Sequence, residues 1–157
     1  MKKILITLLL AGLGLCAAAQ PRAIGLRAGY GLELSYQHTL DDPHFLEVDL
    51  GLDLAGDHGF RATATYNIVI SEPDWTSVGT WAWYVGPGAS FGYLYEKDRM
   101  DVMLAFVAQL GCEYSPTPHL GLSLDLRPAF GYHFGTGKFY AGGLLGFVPT
   151  LGVRFKF

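Results

Sequence analysis

Leu46-Glu47-Val48-Asp49-Leu50-Gly51-Leu52-Asp53-Leu54 sets an aliphatic side chain at every second position and a carboxylate or glycine between. Period two is the side-chain repeat of a β-strand, and a helix would scatter these leucines around its circumference. Leu120-Gly121-Leu122-Ser123-Leu124-Asp125-Leu126-Arg127 repeats the pattern with equal strictness, and 32–37, 60–70 and 102–114 follow it more loosely. The closing stretch 150–157 alternates as well, with Leu151, Val153, Phe155 and Phe157 on one side and Gly152, Arg154 and Lys156 on the other. A half-apolar strand that closes on an aromatic needs an apolar home for that face, and lipid is the candidate.

Asp41-Asp42-Pro43, Glu72-Pro73-Asp74 and Pro116-Thr117-Pro118 break the alternation with residues that cannot continue a ladder. The breaks divide the chain into eight predicted strands: 22–30, 32–40, 44–55, 58–70, 80–95, 101–115, 118–133 and 143–157. The count rests on a turn at Gly29-Tyr30-Gly31, because a closed bacterial barrel with both termini on one side needs an even number. The expected fold is therefore all-β, an eight-stranded antiparallel up-and-down transmembrane β-barrel with a polar, plugged lumen. Turns near 41–43, 71–79 and 115–118 would face the periplasm, and connections near 30–31, 55–58, 95–100 and 133–142 would face outward. The 71–79 turn is long for its side.

Ahead of the first strand, Lys2 and Lys3, an apolar run from Ile4 to Cys16 and Ala17-Ala18-Ala19 have the three parts of a cleaved export signal. A lipoprotein would carry a small residue before its modified cysteine, where Leu15 stands. The expectation is a signal peptide over 1–19 and one barrel domain over 20–157, with a formal charge that moves from −3 to −5 as the two lysines leave. Cys112 is then the only cysteine, so no internal disulfide can form. After the signal, no apolar run approaches the roughly 20 residues of a membrane helix, and the mild acidity offers nucleic acid no basic face.

Alternation alone does not say which face points inward, since a soluble lipocalin-like barrel shows the same period. The polar face is rich in Gly, Ser and Thr rather than Lys and Glu, as at Gly25, Ser35, Gly51, Thr63, Thr65, Gly86, Gly88 and Ser90, which suits a cramped lumen. Aromatics on the apolar face sort by height: Tyr36, Tyr66, Trp81, Trp83, Tyr114, Phe155 and Phe157 toward the periplasmic ends, Tyr30, Phe60, Phe91, Tyr93, Phe130 and Tyr132 toward the outer ends. Two such girdles are what anchoring at two interfaces demands. The polar face also carries both signs, Arg27, Arg61, Arg127, Arg154 and Lys156 against Glu33, Glu47, Asp49, Asp53, Glu113 and Asp125. Eight strands enclose only enough space for side chains, so these eleven are expected to interlock as ion pairs.

The stretches 23–31, 46–52, 83–88 and 122–129 resemble the small OmpA/OmpX-type outer-membrane barrels, in particular the short barrel-only proteins of Bacteroidota. The resemblance covers essentially the whole chain after the signal. It implies a location in the outer membrane of a Gram-negative bacterium, contact with outer-membrane lipids and lipopolysaccharide, and a monomer without cofactor. It further implies that Phe155 and Phe157 form the signal read by the barrel-assembly machinery.

Some eight-stranded outer-membrane barrels act on lipid A or phospholipid, and a deacylase-like site would set a histidine and serine together on the lipid face with an acid behind the ring. His119, Ser123 and Asp125 are expected instead in the lumen, so they are read as a polar row and no catalytic residue is assigned. Asp53, Asp57 and His58 lack calcium-loop spacing and read as a solvated turn. His38, His44 and His133 give no metal spacing, and Gly135-Thr136-Gly137-Lys138 reads as a hairpin loop. The expected role is non-catalytic, envelope-structural or in surface interaction; the rivals are a lipid-modifying barrel enzyme and a soluble periplasmic carrier.

Overall fold

The structure, a computed structural model, describes residues 22–29, 31–53, 59–96, 99–142 and 149–157. Ten strand segments follow one another: β1 (Arg22–Ala28), β2 (Gly31–Thr39), β3 (His44–Asp53), β4 (Gly59–Ser71), β5 (Thr80–Glu96), β6 (Arg99–Thr117), β7 (Leu120–Leu126), β8 (Ala129–His133), β9 (Lys138–Gly142) and β10 (Thr150–Lys156). Strands β1 to β6 pair antiparallel in chain order, β6 pairs with both β7 and β8, β8 pairs with β9 and β7 with β10, and β1 pairs with β10 from Ala23 opposite Lys156 to Ala28 opposite Leu151. That last pairing closes the wall, so the sheet has no free edge at this level.

Eight passes of the chain build this wall, and one of them is divided. The predicted strand 118–133 divides into β7 and β8 at Arg127-Pro128, because proline lacks the N–H that a ladder requires. Register runs straight through the break: Leu110 lies opposite Leu126, Val107 lies opposite Ala129, and the Pro128 carbonyl accepts from Ala108 N at 3.0 Å. The last pass differs more from expectation. The predicted outward connection 133–142 contains strand β9, and the turn proper is 134–137. Ala129 lies opposite Gly142 where the β7–β10 register would set residue 146; of the expected strand 143–157, residues 149–157 are described. Strand β6 also outruns its predicted end, since Pro116 sits at a register shift between Tyr114 and Thr117.

Paired residues followed around the wall from Gly92 pass through Arg61, Gly51, Glu33, Arg27, Gly152, Ser123 and Glu113 and return to β5 at Ala82, ten residues away. With about 3.3 Å of rise per residue and about 4.8 Å between strands, that stagger tilts the strands roughly 40° from the barrel axis. Every residue on this circuit has the inward parity.

Polarity is inverted relative to a water-soluble domain. Leu26, Leu52, Phe106 and Leu151 are more than half exposed on the outer wall, while Arg27, Glu47 and Asp125 are 0% exposed inside. Aromatics gather at both ends of that wall. Trp81 stacks on Tyr114 at 4.5 Å and Phe155 on Phe157 at 6.5 Å at the end where β1 begins, here the lower end. At the upper end, Phe91 meets Tyr93 edge-on at 4.9 Å and Tyr132 meets Phe134 at 5.4 Å. Tyr30 lies outside the described residues.

Candidate functional site

The lumen holds the densest chemistry in the molecule, and strand parity delivers it. Strand β1 turns Arg27 inward, β2 Glu33, β3 Glu47 and Asp49, β4 Arg61, β6 Glu113, β7 Asp125 and β10 Arg154 and Lys156. Arg127 keeps the inward parity at the proline break.

Glu47 is the hub. Its Oε1 accepts from Arg127 Nη2 at 2.9 Å, from Arg154 Nη2 at 2.8 Å and from Arg27 Nη1, and its Oε2 accepts from Gln37 at 3.1 Å. Arg27 also sets Nη2 3.0 Å from Asp125 Oδ2, and Arg127 spans Glu33, at 3.3 Å, and Asp49. Lower down, Glu113 meets Arg154 at 3.1 Å and Lys156 at 2.5 Å, and higher up Arg61 meets Glu33 at 3.0 Å. The structure thus joins ten of the eleven predicted charges into one set; of the eleventh, Asp53, only the backbone is described. Five cations face five anions, as burial requires, since one uncompensated buried charge costs about 3 to 5 kcal/mol.

Neutral partners that sequence reading did not name complete the set. Tyr84, 1% exposed, donates its hydroxyl to Asp125 and receives Phe45 edge-on at 5.2 Å. Gln109 donates to Asp125 at 3.1 Å and accepts from Thr65 at 2.7 Å and from Arg127 Nε at 3.2 Å. A signal for both existed: Tyr84 shares parity with Gly86 and Gly88, and Gln109 with Glu113. Gly111 makes the Tyr84–Asp125 contact possible, because a Cβ there would lie 2.3 Å from each of them.

Beneath this plug a cavity of about 230 Å³ opens at the lower end, lined among others by Gln37, Asp42, Phe45, Tyr84, Glu113 and Lys156. At the upper end Asp101 accepts from Gly135 N at 2.6 Å and Thr136 Oγ1 at 3.2 Å, with His133 Nδ1 3.3 Å away. The expected hairpin loop is therefore a turn fastened to β6.

His119 departs from its expected luminal place. It lies exposed in the turn after β6, its ring stacked on Phe155 at 6.0 Å and its Nδ1 3.3 Å from the Lys156 carbonyl. Ser123 and Asp125 do sit in the lumen, 3.0 Å apart, so the three residues form no relay. His38 and His44 likewise lie against Tyr36 and Tyr66 at the lower rim. Asp57 and His58 lie outside the described residues, and Phe155 and Phe157 are exposed on the outer wall.

Fold and lumen together define a class: closed eight-stranded antiparallel barrels, apolar outside and ionic within. No family model and no curated relative matches the chain. Among solved structures, it is similar to the N-terminal β-barrel domain of Pseudomonas aeruginosa OprF, with a TM-score of 0.60 and 19% identity over 87% of this chain and 96% of that one. The outer membrane protein Ail of Yersinia pestis aligns at a TM-score of 0.40 and 13% identity, over 88% of this chain and 98% of that one. The OprF likeness is one of fold.

Proposed function

We propose that this chain is a monomeric, integral outer-membrane barrel of a Gram-negative envelope, exported behind a signal cleaved near Ala19, with a non-catalytic structural or surface-interaction role. One observation carries the reading: leucines and phenylalanines cover the outer wall while arginines and carboxylates fill the lumen. Water on that wall would leave a continuous apolar belt unburied, whereas lipid and lipopolysaccharide acyl chains bury it. A soluble carrier would need the reverse arrangement, an apolar interior. An ionic plug also argues against a general pore.

Membrane fractionation followed by gel electrophoresis with and without boiling tests the proposal. The expected result is a membrane-bound protein whose unboiled form migrates faster, and recovery from the soluble periplasm alone would overturn it. Within the same reading, Phe157 serves recognition by the barrel-assembly machinery. Phe157→Ala is expected to lower the amount in the outer membrane several-fold while leaving the stability of the folded barrel nearly unchanged, because its ring is exposed and supports little of the interior. Normal membrane levels of the variant would remove that role.

A further inference from the structure

Residues 72–79 join β4 to β5 at the lower end, and although almost all of them are exposed, the connection is tied to the outer wall. Thr76 Oγ1 donates to the Val78 carbonyl at 2.7 Å and accepts from Trp81 Nε1 at 3.1 Å, while the Tyr114 hydroxyl donates to the same carbonyl at 3.2 Å. Gly79, at φ +77°, presses the turn so close to β6 that a Cβ would lie 2.6 Å from the Ser115 carbonyl. Trp75 consequently folds down onto the wall, 5.3 Å from Trp81 and 6.1 Å from Trp83 between ring centres. Both partners have the outward parity, since Ala82 and Tyr84 between and beyond them line the lower cavity.

Here a hydrogen-bonded turn leaves two apolar side chains largely open: Trp75 is 58% and Val78 65% exposed. The rest of the lower rim is built differently, with short turns at 40–43 and 118–119 and histidines laid on Tyr36, Tyr66 and Phe155. We propose that the 72–79 connection is a lipid-surface anchor, in which Trp75 and Val78 seat in the headgroup layer of the leaflet at the lower end. This rests on the membrane reading above and extends it to a segment outside the barrel wall. Continuity commits the patch to lipid, because Trp75 prolongs the Trp81–Tyr114 girdle by one more aromatic, and tryptophan favours that interfacial layer. A second protein is a poor match, as two side chains fall far short of the roughly 20 to 30 residues a side of a stable interface. The anchor exists on the β5–β6 side alone among the described residues, so it holds the apolar belt deeper there and biases the barrel's tilt.

The chain's three tryptophans are these three residues, which makes the test direct. Protein from membranes is reconstituted in phosphatidylcholine vesicles with brominated acyl chains, and single-tryptophan forms are compared: Trp81→Phe with Trp83→Phe leaves Trp75, and Trp75→Phe with Trp81→Phe leaves Trp83. Trp75→Phe alone, with Thr76 still bonded to Trp81, yields the Trp75 signal by difference. Expected for Trp75 is about a two-fold loss of emission, greater with shallow than with deep bromines, as an interfacial depth requires. Trp83 quenched by bromolipid while Trp75 is quenched only by aqueous acrylamide would overturn the anchor and leave the membrane reading intact. Protection of Trp75 from both quenchers would assign the patch to protein instead and equally overturn it. Trp83 untouched by bromolipid would overturn the membrane reading and the anchor with it.

Discussion

Strands β3 and β5 face each other's chemistry with opposite means. Inward from β3 come Phe45, Glu47, Asp49 and Gly51; inward from β5 come Thr80, Ala82, Tyr84, Gly86, Gly88, Ser90 and Gly92, none of them charged. The β3 residues are there for what they hold, since Glu47 joins three arginines. The β5 glycines are there for what they let approach: a Cβ at Gly86 would lie 2.1 Å from the Tyr66 carbonyl, and one at Gly88 2.4 Å from that of Ala64. In so narrow a barrel, one wall can be thick with long side chains only where another lets its neighbour's backbone come close.

Breaking the β3 side should do the most damage. Glu47→Ala leaves the buried Arg27 and Arg154 and the part-buried Arg127 short of an anion and is expected to lower stability by about 3 to 5 kcal/mol, read from urea unfolding of the reconstituted barrel. An unchanged midpoint would mean that the ion pairs carry no net weight. On the β5 side, Gly86→Ala forces β4 outward and should lose about 1 to 3 kcal/mol in the same titration, with no change of charge. Ser90→Ala is the mildest case. It removes one hydroxyl that meets Thr63 at 3.0 Å and should shift stability by about 1 kcal/mol; a loss as large as that of Glu47→Ala would erase the distinction between the two walls.

Much of this was legible beforehand. Alternation at 46–54 and 120–127 told strands from helices, and the mixture of glycine with both charge signs told the inward face from the outward one. Legibility failed where a local rule met a tertiary one. Pro128 looked harmless inside a long alternating run, yet its missing N–H splits the pass. His119 has the parity of Ser123 and Asp125, but the register shift after Tyr114 and the tight turn beyond remove it from the lumen. Trp75 lies in a connection, outside any alternating stretch, so no periodicity could say that it would fold onto Trp81.

Period two in the sequence determined by itself that the chain forms strands, which face of each is apolar and that the interior must hold arginines with carboxylates. Tertiary structure alone decided who meets whom. Parity assigns a side chain to a face but not to a height, and height follows from the ten-residue stagger that appears only once β1 closes on β10. That closure makes Glu47, indistinguishable from Glu33 or Asp49 along the chain, the point on which Arg27, Arg127 and Arg154 converge.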